Sequence, residues 1–91
     1  MANGNQEKLI ILRQKQVEVQ IGLPRSTMYL RIQEGTLTRP VKLGARAVGW
    51  PQNEIVAINI ARIAGKSDEE IRLLVIQLEA ARKVLQEGGE E

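Results

Sequence analysis

The chain predicts an α+β fold that is mainly α: two short helices, a two-stranded hairpin, a third helix and an additional C-terminal helix. Three observations carry that expectation. Glycines and prolines punctuate the chain where the apolar spacing changes, at Gly22, Pro24, Gly35, Pro51 and Gly65. Apolar residues alternate between Val41 and Trp50, which is the period of a strand. After Ser67 they recur every three or four residues, which is the period of a helix.

The elements follow in order. Residues 1–8 are polar and read as a flexible tail. Leu9, Ile10, Ile11 and Leu12 form a short β-branched run suited to a brief strand. Residues 13–21 read as a helix whose Val17 and Ile21 share one face, and Gly22 can stop it in the left-handed conformation. Residues 24–34 give about three turns, with Pro24 at the first helical position and Gly35 as the stop. Met28 and Ile32 define the inward face of this helix, while Ser26, Leu30 and Gln33 lie opposite, flanked by Thr27 and Tyr29.

Next, Val41 and Leu43 alternate with Lys42, and Val48 and Trp50 alternate with Gly49. Gly44, Ala45 and Arg46 make the turn between them, giving a hairpin with a basic tip. Trp50 is assigned to the core, because a chain with one Trp, one Tyr and no Phe needs its largest ring inside. Residues 52–64 form a third helix after Pro51, with Ile55, Ile58 and Ala61 at helical spacing and Gly65 ending it. Ser67 and Glu70 make a capping box for a last helix from 68 to about 86, followed by a loose end at 88–91.

Composition excludes several classes. With no Cys and no His, the chain has no disulfide, thiol nucleophile or imidazole base. No metal-ligand spacing and no phosphate-binding glycine loop is present, so the expectation is a non-enzyme without metal or cofactor. The start is polar and no apolar run approaches the ~20 residues of a membrane span, so a soluble cytoplasmic protein is expected. Charge is segregated. From Lys8 to Trp50 eight bases stand against two acids, a net +6, whereas from Pro51 to Glu91 five bases stand against eight acids, a net −3. A basic first half suits a polyanion, and helix, glycine turn, helix and basic hairpin is the order of a winged helix-turn-helix.

That order nominates the contacts. Ser26 and Thr27 are short and let the second helix approach double-stranded DNA closely, and Arg25 can reach a guanine edge or a phosphate. Tyr29 can bond a phosphate or pack half inside, and Leu30 and Gln33 complete the face. Lys42 and Arg46 are the candidates on the wing hairpin, whose Gly44 allows close approach. Arg31 and Arg39 are weaker, because Glu34 is near enough in sequence to pair with either.

The last helix carries two apolar strips. Ile71, Leu74, Val75, Leu78, Ala81 and Leu85 form one; Leu73, Ile76, Ala80 and Val84 form a second on another side. A helix with two such strips is either wedged within its own chain or associates with a second copy or another protein. The organisation expected is a tail at 1–8, a DNA-binding domain at 9–64, an oligomerisation helix at 65–87 and a tail at 88–91.

Gly22 to Tyr29 (GLPRSTMY), Glu34-Gly35, Arg39 to Gly44 (RPVKLG) and Arg46 to Trp50 (RAVGW) together resemble the AlpA family. These are small phage-derived regulators with a MerR-like or excisionase-like winged helix. The resemblance spans residues 9–64. Pro24 stands where the family often has Ser, and the last helix extends beyond the shortest members. The resemblance implies a transcriptional regulator of a prophage or integrated element, or an excisionase, a recombination directionality factor that assists integrase. It implies DNA contacts at Arg25, Ser26, Thr27, Tyr29, Lys42 and Arg46. From a different class, a protein-interaction module would dock integrase or RNA polymerase through the last helix, leaving the basic half incidental.

Overall fold

A computed structural model describes residues 9–90, with side chains as far as Lys83. The tail expected at 1–8, the side chains of Val84 and Leu85, and Glu91 lie outside the described residues. The elements run β1 (Ile11–Leu12), α1 (Gln14–Ile21), α2 (Arg25–Glu34), β2 (Val41–Lys42), β3 (Val48–Pro51), α3 (Gln52–Ile63) and α4 (Asp68–Glu90). This is an α+β, mainly helical winged helix-turn-helix. Local signals place the boundaries. Gly22, Gly35 and Gly65 all take positive φ, where any other residue would be strained. Pro24 and Pro51 cap α2 and α3 from outside in extended conformation, one position before the first helical residue. Ser67 and Glu70 bond each other's backbone N–H at 3.1 and 2.9 Å, closing the capping box that starts α4.

The sheet is larger than a hairpin. β1 pairs antiparallel with β3, which also pairs with β2, so the order is β1-β3-β2 with β3 in the centre. Ile11 lies opposite Pro51 and Leu12 opposite Trp50; Val41 lies opposite Gly49 and Lys42 opposite Val48. Directly opposed residues share a face of the sheet. Leu12, Lys42, Val48 and Trp50 therefore lie on the helix-covered face, and Ile11, Val41, Gly49 and Pro51 on the other. Alternation along the sequence suggests instead that Lys42 is set apart from the apolar side. Pairing with β3 decides the matter, because register is a property of two strands.

Trp50 sits at the centre, fully buried, with its indole N–H donating to the Thr38 carbonyl at 2.9 Å. Leu12, Val17, Met28, Leu37, Ile55, Ile58, Ala61, Ile71 and Val75 complete the core. Thr38 is also buried, and its hydroxyl has no partner among the described residues.

α4 packs on this domain rather than standing off it. Ile71 and Val75 are buried and Leu74 and Leu78 pack against the core. Burying two such side chains contributes about 3–6 kcal/mol before entropy, a large share for so small a domain. Polar ties reinforce it. Arg72 donates to the Glu34 carbonyl at 2.8 Å and so caps the end of α2. Glu79 accepts from the Arg39 backbone N–H at 2.8 Å. Arg82 reaches both the Arg39 carbonyl and the buried Glu54. The helix continues through Gly88 and Gly89 to Glu90, past the end expected near 86 and into the loose end expected at 88–91.

Candidate nucleic-acid interface

α2 is held by its inner face and open on its outer one. Met28 is fully buried, while Arg25, Ser26, Leu30 and Gln33 are exposed and Thr27 half-buried. Ser26, Thr27, Tyr29, Leu30, Ile32 and Gln33 line one open hollow along this face. Its first turn carries no acid, and Pro24 supplies no side-chain cap. The N–H groups of that turn are thus left to a ligand or water, and the helix dipole favours an anion there. The one acid of α2, Glu34, lies at the opposite end.

Tyr29 is partly inside and partly a support. Its ring packs edge-on to Trp50, with centroids 6.4 Å apart. Its hydroxyl donates to Gln14 Oε1 at a long 3.4 Å, and the Arg25 guanidinium lies 5.5 Å from the ring centroid. At that distance the ring attracts the cation and restrains Arg25 near the start of α2.

The hairpin carries Lys42 and Arg46, both exposed. Its turn closes through the Leu43 and Gly44 N–H groups, which both donate to the Ala47 carbonyl at 2.8 and 3.3 Å. Arg46 thus sits in a tight loop at the tip. Lys42, exposed and opposite Val48, shares the helix-covered face of the sheet with it.

A residue not nominated from the sequence joins these two parts. Arg13, at the start of α1, donates from Nε to the Val48 carbonyl at 3.0 Å. Its own backbone N–H donates to Gln16 Oε1 at 2.7 Å, which fixes where the side chain originates. No local motif marks Arg13, because its partner lies 35 residues away. Arg31 and Arg39, weighed as partners of Glu34, do not pair with it. Among the described residues the ion pairs are Arg62–Asp68 at 2.9 Å and Arg82–Glu54 at 2.7 Å.

The acidic half is kept at a distance. Arg72 binds the last turn of α2, so the acidic first turn of α4 approaches the end of α2 remote from Arg25. Ten helical residues separate those ends, about 15 Å. The second strip of α4 is open: Leu73 is 61% and Ile76 62% exposed, and Ala80 is exposed. The side chain of Val84, expected on that strip, lies outside the described residues. Among the described residues no group of acidic side chains is placed to hold a metal ion. No described helix is long and apolar enough to cross a membrane.

Against known families, residues 10–57 match the model for the prophage CP4-57 regulatory protein (AlpA). The matched segment covers just over half of the chain, from β1 into α3, and includes α2 and the hairpin. Neither a curated protein nor a solved structure gives a match.

Proposed function

The chain belongs to the AlpA family of prophage regulatory proteins, and from that premise we propose that it binds double-stranded DNA sequence-specifically and regulates transcription of a prophage or integrated element. The observation that carries this is the open face of α2 beside the basic hairpin. Arg25, Ser26, Thr27, Leu30 and Gln33 lie on a helix with a free N-terminus, and Lys42 and Arg46 are exposed on the hairpin whose β3 carries the Trp50 that Tyr29 of α2 packs against. A helix of this length fits the major groove, where side chains of these types meet base edges. The hairpin then meets phosphates or the adjacent minor groove.

The roles divide by chemistry. Arg25, restrained on Tyr29, reads a base or clamps a phosphate; Ser26, Thr27 and Gln33 read edges; Leu30 makes apolar contact. Lys42 and Arg46 hold the backbone. Gel-shift titration with a duplex selected by the protein from a random pool tests this. Arg25→Ala should weaken that duplex by about 1–3 kcal/mol and relax its sequence preference. Arg46→Ala should weaken all duplexes alike. Unchanged affinity in both variants overturns the reading. Footprinting on promoter and attachment-site DNA separates transcriptional control from service as an excisionase.

The exposed strip Leu73, Ile76 and Ala80 supports a second element of the proposal, that two copies associate through α4 on DNA. Integrase or RNA polymerase is the competing occupant of the same strip.

A further inference from the structure

We propose that Arg13 is a phosphate-binding residue of the DNA interface, placed on the bridge between α2 and the hairpin. The inference rests on the DNA-binding reading above. A line of contacts runs from one basic element to the other. Arg25 lies over the Tyr29 ring, the Tyr29 hydroxyl meets Gln14, and Gln14 follows Arg13 in the chain. Arg13 bonds the Val48 carbonyl, and Val48 lies opposite Lys42. A duplex that engages α2 in its major groove and the hairpin beside it carries a sugar–phosphate strand across this line, because phosphates border the groove.

The guanidinium is suited to that position. Of its five N–H donors, the one on Nε is used by Val48. The four on the terminal nitrogens take no partner among the described residues, and Arg13 is exposed. The one acid of α1, Glu18, accepts from Gln14 at 3.0 Å and is not paired with Arg13. Held at Nε and through its capped backbone, the planar fork is already oriented. It loses less freedom on meeting a phosphate than a loose lysine does.

A simple staple between α1 and the hairpin would use the same Val48 bond but would need no charge. Salt dependence separates the two roles, because each phosphate neutralised adds about 0.9 to the slope of log affinity against log salt. The full chain is titrated with its selected duplex and a scrambled duplex of equal length, as wild type, Arg13→Gln and Arg13→Lys. Gln is uncharged yet can still donate to the Val48 carbonyl.

The expected result is that Arg13→Gln loses roughly tenfold in affinity on both duplexes at physiological salt. Its slope becomes shallower by about one. Arg13→Lys restores the slope, and thermal unfolding of Arg13→Gln stays at the wild-type midpoint. A wild-type slope in Arg13→Gln, or a slope that Lys fails to restore, overturns the assignment while leaving the DNA-binding reading intact. Wild-type protein that binds no duplex overturns that reading and Arg13 with it.

Discussion

The guanidinium of Arg82 meets both carboxylate oxygens of Glu54, at 2.7 and 2.8 Å, and Glu54 is only 2% exposed. The hydrogen bonds that Arg82 donates to this carboxylate hold it protonated more firmly than an ordinary arginine, with its pKa raised, against the opposing effect of burial. The pair joins α3 to α4 and, through the Arg39 carbonyl, to the loop before the hairpin. Removing Arg82 alone leaves a carboxylate in the core. Arg82→Ala should therefore cost about 3–5 kcal/mol in urea unfolding. Replacing both, as Glu54→Leu with Arg82→Met, should recover most of that loss, since an apolar pair needs no desolvation of charge. A double variant as unstable as Arg82→Ala would show that the site does more than neutralise Glu54.

Gly49 predicts a cost of a different kind. A Cβ there would run into Ile11 Cγ2 and stand 2.9 Å from the Leu12 carbonyl and 3.1 Å from Leu43 Cδ1. The Leu12 oxygen is backbone of the neighbouring strand and cannot swing away. Gly49→Ala should destabilise by about 1–3 kcal/mol, the usual cost of overfilling a packed site. Trimming Ile11 to Ala should relieve only part of it, because the carbonyl contact remains. Equal stability of Gly49→Ala and wild type by thermal melting would refute this account of the sheet.

Much of this fold is legible in the sequence wherever the signal is local. Gly22, Gly35 and Gly65 mark helix ends because their own φ must be positive, and Ser67 with Glu70 marks a start within four residues. The apolar stripe Ile71, Leu74, Val75 and Leu78 reads as the packing face of α4 because its spacing repeats. The strand partners do not read so well. β1 and β2 have two residues each, too few for a period, and which strand β1 joins depends on residues near 50. The same holds for Glu54 with Arg82, 28 positions apart, and for Arg13 with Val48. Lys42 was nominated by its charge, but the side of the sheet it occupies follows from the register alone.

The capping box predicts how α4 responds to acid. The Ser67 backbone N–H, followed by the charge of Lys66, lowers the Glu70 pKa from its ordinary value. A carboxylate with a lowered folded-state pKa adds stability above its unfolded pKa, and that stability is lost as pH falls through the folded value. Ser67→Ala should cost about 0.5–2 kcal/mol at neutral pH. Glu70→Gln should lose the charge-dependent part of the effect at neutral pH. The difference between Glu70→Gln and wild type should then shrink as pH is taken below the carboxylate range. A difference that stays constant down to strongly acidic pH would mean that Glu70 acts through its shape and not its charge.

The exposed strip of α4 makes the last prediction, on assembly. Leu73 and Ile76 are adjacent on the helix surface, and neither is needed for docking on the domain, where Ile71 and Val75 do the packing. A two-fold pairing of α4 helices would bury both residues twice, at about 1.5–3 kcal/mol for each side chain. Antiparallel crossing near Ile76 would also bring the exposed Glu69 of one copy toward Lys83 of the other, so charge favours that orientation. Sedimentation of the wild-type chain should show a concentration-dependent monomer–dimer equilibrium. Leu73→Glu combined with Ile76→Glu should remain monomeric and melt like the dilute, monomeric wild type, because both side chains already face solvent in the monomer, whereas the wild-type melting temperature should rise with concentration. Wild-type protein that stays monomeric at the highest concentration it tolerates, free and on a selected duplex, removes the dimer from the proposal. The strip is then left to integrase or polymerase, and pull-down with each purified protein decides between them.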